Sequence, residues 1–182
     1  MSWDLPTTVE VAGQCFAIRS DFRAVLDALA ALNDAELPEQ ARCLAFLQIL
    51  YPDWKHLPDA DGALRSAMEF INLNREEPPG ASLRPSLVHW DTDVQLIAPA
   101  VDKVLGYSCR GCAYLHWWDF IGAFQNIGDG LFASVVNIRN KRLRGKKLDK
   151  AELAFARENA DLIGTVQQTT PEEEAFFQRL GV

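Results

Sequence analysis

Two periods of apolar residues run along the chain, and the elements follow from where one gives way to the other. From Thr7 to Val11 and from Cys15 to Ile18 the pattern is short, alternating and rich in β-branched residues, with Ala12-Gly13-Gln14 between the runs. Two such runs around a glycine that tolerates a positive φ predict a β-hairpin within residues 1–20. A lone two-stranded hairpin is marginal in water, so its apolar face is expected to pack on a helix.

After Ser20, a residue suited to capping, the period lengthens to that of a helix. Phe22, Val25, Leu26, Leu29 and Leu32 share one face, and Asn33-Asp34 closes the run. A second helix is expected from Pro38, with Cys43, Phe46, Leu47 and Leu50 inward and Pro52 beyond its end. Leu64, Ala67, Met68 and Ile71 mark a third that ends near Asn74, so residues 21–74 read as N-terminal helices. Residues 75–86 hold three prolines and a glycine and predict a flexible loop or linker.

Helical spacing returns over residues 87–182. Asp91 or Thr92 is placed to cap a fourth helix with Val94, Ile97, Val101 and Leu105 inward, ending at Gly106 and interrupted or kinked at Pro99. The stretch from Ala113 to Ile127 is the most apolar of all, and predicts a fifth, central helix through Trp117, Phe120, Ile121 and Phe124. Leu131, Val135 and Ile138 begin a sixth, and Asp149 caps a seventh running to about Ile163. Thr170-Pro171-Glu172-Glu173 starts a short terminal helix. The expected fold is therefore all-α for the most part: a bundle of about seven helices with a short N-terminal β-hairpin. Each half alone is small, so residues 1–182 are read as one compact domain.

Composition changes this picture little. Hydrophobic residues make up 48% and charged residues 24%, which is ordinary for a globular chain. No apolar run approaches the ~18 residues of a membrane helix. No secretory signal is visible at Met1-Ser2-Trp3-Asp4, so the expected location is the cytoplasm, with no membrane partner. The net charge of −7 disfavours nucleic acid as a partner unless a basic patch is gathered locally.

Candidate chemistry is sparse. Cys109-Arg110-Gly111-Cys112 has the spacing of a redox pair, yet no βαβ pattern surrounds it. With His116 one turn later, the two thiols offer three zinc ligands where a structural site takes four. Buried or idle thiols are the preferred reading, with zinc and redox chemistry as alternatives. His116 and Asp119 stand three apart, as a hydrogen-bonded polar seam or, less readily, an acid–base pair. His56 and His89 have no nucleophile in recognisable context, and no phosphate loop, GxSxG or HExxH occurs. The chain is expected to be no enzyme and to use no cofactor or metal.

The densest charge feature is the run Arg139, Lys141, Arg142, Arg144, Lys146, Lys147 and Lys150, with Asp149 its one acid. It reads as a solvated helix end, as a dock for an acidic protein surface or, lacking interleaved aromatics, less well as a nucleic-acid patch. Arg139, Arg142, Arg144, Lys146 and Lys147, with Trp118 among the many aromatics, are the candidate partner-binding residues.

Two segments together resemble a known family. Leu5-Pro6-x-x-Val9-x-Val11-x-Gly13-x-x-Phe16-x-Ile18-x-x-Asp21-Phe22-Arg23 leads a hairpin into a helix, and Tyr114-Leu115-His116-Trp117-Trp118-x-Phe120 follows later. Both are similar to the bacteriophage gene-product-fifteen family, over nearly the whole chain. That resemblance implies a gene of the phage or prophage tail-morphogenesis region and a tail assembly chaperone. The implied partners are the tape-measure protein and tail-tube subunits, with self-association as a further expectation. A structural virion component, such as a connector or tail-completion protein, is the alternative. The family carries over no catalytic residue.

Overall fold

In the computed structural model the described residues are 3–75 and 87–164. They form a mostly helical fold with one small antiparallel hairpin, as the periodicity predicts. The terminal helix expected at Thr170 and nearly all of the 75–86 tract lie outside the described residues. Among the described residues no helix is long and apolar enough to cross a membrane. The chain gathers into two compact units, the first holding residues 3–75 and 113–122 and the second 87–112 and 123–164 of those described.

In the first unit, β1 (Thr8–Val11) pairs with β2 (Gln14–Ala17), Val11 opposite Gln14. The connection is two residues long, shorter than the three expected, because Ala12 and Gly13 both take positive φ (50° and 78°). The helix α1 (Phe22–Leu32) buries Phe22, Val25, Ala28 and Leu32. Its cap is Asp21 and not Ser20: an Asp21 carboxylate oxygen accepts from the Arg23 amide at 3.0 Å. Ser20 is occupied elsewhere, its hydroxyl bonded to the Tyr114 hydroxyl at 2.8 Å.

The second helix, α2 (Glu39–Leu50), packs on α1 and buries Phe46, Leu47 and Leu50, with Pro38 just outside it as the cap. Arg19 closes its far end, donating to the carbonyls of Gln48 at 2.9 Å and Ile49 at 2.5 Å. Those carbonyls lack partners within the helix, and a cation there also suits its dipole. A single 3₁₀ turn (Trp54–His56) leads to α3 (Ala60–Ile71), capped by Asp59. The hairpin packs on α3 through β1, and Ser66 donates to the Glu10 carbonyl at 2.6 Å.

In the second unit, α4 (Val94–Leu105) runs through Pro99 and ends at Gly106 in the left-handed region, φ 76°. Leu96, Ile97, Ala98 and Val101 are buried, whereas Val94 faces water. Asp93, not Asp91 or Thr92, precedes the helix, and its carboxylate is turned inward instead of capping. The helix α5 (Trp117–Gln125) crosses from the first unit's residues to the second's, and starts four residues later than Ala113. Then α6 (Leu131–Leu143) buries Phe132, Val135, Ile138 and Arg139. The expected seventh helix is two: α7 (Lys150–Glu158) and α8 (Ala160–Ile163), broken at Asn159, whose side chain donates back to the Phe155 carbonyl at 3.0 Å. Both α4 and α8 pack on α6.

Candidate partner-binding surface

The aromatic segment that starts α5 is anchored before it becomes helical. Leu115 is bonded twice at the start of α1: its amide donates to an Asp21 carboxylate oxygen at 3.1 Å and its carbonyl accepts from the Phe22 amide at 3.0 Å. The Trp117 amide donates to the Ser20 carbonyl at 2.7 Å. These bonds hold residues 114–116 extended, which is why α5 begins late. The two segments that suggest the family from sequence are thus direct hydrogen-bonding partners.

The side chains of this segment face inward. The Trp117 indole N–H donates to the Ile71 carbonyl, and that of Trp118 to the Phe70 carbonyl, both at 2.8 Å. Phe120 stacks on Phe22 with ring centroids 4.4 Å apart. His116 is buried; its Nε2 donates to the Pro6 carbonyl at 2.9 Å while Nδ1 accepts from the Trp118 amide at 3.0 Å. Both ring nitrogens are therefore committed to backbone, and Asp119 is exposed, so the two do not form an acid–base pair. Trp118 keeps one side half-open, but its hydrogen bond and its ring contact with Phe70 are structural.

Cys109 and Cys112 lie in a turn after α4. The Cys109 amide donates to an Asp102 carboxylate oxygen at 2.7 Å, and the Cys112 thiol donates to the Cys109 carbonyl at 3.1 Å. Burial, with Asp102 beside it, pushes the Cys109 thiol up to about 11. Burial works against the Asp102 charge as well, but hydrogen bonds from Cys109 and Ser108 outweigh it and hold the carboxyl below its usual range. A thiol so placed stays protonated at neutral pH, the opposite of an activated nucleophile. Among the described residues no group of three or more His, Cys, Asp and Glu side chains is placed to hold a metal.

The basic run divides. Arg139 is 5% exposed and removed from the surface patch that the sequence suggests. Its Nη1 and Nη2 donate to the two Asp93 oxygens at 2.5 and 2.9 Å, and also to the carbonyls of Leu87 at 3.1 Å and Leu162 at 2.7 Å. Its Nε donates to the Ile163 carbonyl at 2.9 Å. All five guanidinium hydrogens are thereby used. The signal for this was present: Arg139 stands four after Val135 and seven after Phe132, on the inward stripe of α6. Burial opposes the Asp93 charge, yet the Arg139 bonds and the His89 amide hold its carboxyl below the ordinary range. Lys141 pairs with Glu152. Arg142, Arg144, Lys146, Lys147 and Lys150 face water and make up the patch itself.

What fold and site define is a mostly helical protein whose buried polar groups hold backbone in place and whose densest run of cations lies at one exposed turn. The chain belongs to the bacteriophage Gp15 protein family, which it matches over residues 1–109, and so to the structural or morphogenetic proteins of phages. The match ends short of Tyr114, so it covers the hairpin segment and not the aromatic one. No curated protein and no solved structure matches the chain.

Proposed function

We propose that the chain is a phage tail assembly chaperone that works in the host cytoplasm by binding other proteins and catalyses no reaction. Its clients on this reading are the tape-measure protein and the tail-tube subunits. Membership of the phage family carries the proposal. It is supported by the chemistry of two candidate residues: His116 and Cys109 are buried and held by packing and backbone contacts. The exposed surface offers charge and scattered apolar groups, Trp3, Leu44 and Tyr114 among them.

Co-expression with a tape-measure fragment tests it. The expected result is a fragment that becomes soluble and co-purifies with the chain. A fragment that stays insoluble and unbound overturns the reading. Recovery of the chain in stoichiometric amounts from purified virions would instead make it a structural component, since a chaperone leaves.

A further inference from the structure

Among the described residues, the exposed turn between α6 and α7 carries a charge that its surroundings do not explain. Within residues 139–150 there are seven cations and one acid; the rest of the chain has 11 cations and 24 acids. Arg139 and Lys141 are taken up by Asp93 and Glu152, and Asp149 caps α7. That leaves Arg142, Arg144, Lys146, Lys147 and Lys150 in water, with Leu153 one turn into α7 and 44% exposed. A surface of this kind fits an anionic surface with an apolar contact at its centre. Nucleic acid fits less well, because no aromatic is interleaved and the whole chain carries −7.

The chain itself contains a complement. Many of its acids are engaged: Asp21 with Arg23, Asp53 with His56, Asp59 with Arg65, and Asp102 with Cys109. One acidic stretch, residues 24–41, holds Asp27, Asp34, Glu36 and Glu39 and no cation. Its centre is the turn between α1 and α2, fixed by the Asp34 carboxylate accepting from the Glu36 amide at 3.0 Å. Asp34 and Glu36 are exposed there, and Leu37 between them and Glu39 is 37% exposed. The acidic turn therefore presents a solvent-facing leucine among its charges, the basic turn has one close by in the first part of α7, and the two charges are opposite.

We propose that copies of this chain associate head to tail, the acidic α1–α2 turn of one docking on the basic α6–α7 turn of the next. The two patches differ, so the contact is heterologous: each copy keeps one patch free for another. Opposite charge speeds the encounter, and the leucines supply apolar contact once water is expelled.

Light scattering and sedimentation of the full chain test this. Wild type should show mass rising with concentration at ~0.05 M salt, and association at least ~tenfold weaker at ~0.5 M, where the Debye length is only a few ångströms. Lys146→Gln/Lys147→Gln and Asp34→Asn/Glu36→Gln, which neutralise each patch and keep an acceptor at position 34, should each abolish association while their thermal melts stay at the wild-type position. Mixed together, the two variants should give 1:1 dimers and nothing larger, because each retains one intact patch. A wild type that is monomeric at low salt overturns the proposal, as do a variant that still associates and a mixture that stays monomeric. Salt-sensitive binding of a duplex DNA probe, without self-association, would assign the basic turn to nucleic acid instead.

Discussion

Removing the Arg139 guanidinium would leave the Asp93 carboxylate buried with the His89 amide as its remaining hydrogen-bond donor among those seen here. Breaking a buried pair by deleting one partner costs ~3–5 kcal/mol, and Arg139→Met should lose about that much in urea unfolding. The double variant Arg139→Met/Asp93→Leu should recover part of it, but not all. The carbonyls of Leu87, Leu162 and Ile163 would still lack their donor. The pH dependence has a fixed sign. A carboxyl held low in the folded state stabilises fully above its unfolded value of about 3.9, and that contribution fades as pH falls through the folded value. Asp93→Asn should therefore be less stable at neutral pH and show a flatter loss of stability below about pH 4. Cys109, protonated and buried, should resist alkylation at neutral pH until the chain unfolds, whereas exposed Cys15 reacts at once; mass spectrometry of the labelled sites reads this.

Among the elements, the hairpin turn carries visible strain. Ala12 sits at φ 50°, where an L side chain with a Cβ is uncomfortable and Asn is far more at ease. Ala12→Asn should raise stability by about 0.5–1 kcal/mol in the same unfolding assay. The cap of α7 works the other way. Asp149 accepts from the amides of Ala151 and Glu152 at 2.8 and 2.9 Å, so Asp149→Ala should cost about 1 kcal/mol. The helices were legible because their apolar stripes are wide: Phe46, Leu47 and Leu50, or Val135 and Ile138, mark a face whatever the neighbours do. What misled was dependence on distant backbone. Ser20 has a capping side chain, but the Tyr114 hydroxyl claims it while the Trp117 amide takes the Ser20 carbonyl, and Asp21 caps in its place. Residues 114–116 have helical composition, yet bonding to residues 20–22 keeps them out of the helix. Of the candidate site, the exposed cations were readable from spacing alone. Arg139 is misplaced by a cation count, which ignores the helical phase that sets it with Phe132 and Val135, and its partner Asp93 is not visible from spacing.

At the scale of the whole molecule, the first unit draws on both halves of the chain. Residues 113–122 belong with residues 3–75, fastened by Asp21, Ser20, Phe70 and Ile71. A chain cut at an engineered protease site within residues 76–86 should therefore elute from gel filtration as one complex and separate only in denaturant. Fragments that part without denaturant would contradict that dependence. Truncating Trp117 to Ala attacks the same joint from inside and should cost ~3–5 kcal/mol, read from the melt. The interleaving also sets an order on the ribosome. Synthesis runs at roughly 5–20 residues per second, so the N-terminal helices wait on the order of seconds for Trp117 to emerge. Until then Phe22 lacks the ring that stacks on it, and the carbonyls of Phe70 and Ile71 lack the indoles that bond them. A nascent chain of this protein is unfinished for longer than its small size suggests, and the delay is written into the distance along the message between two partners in one core.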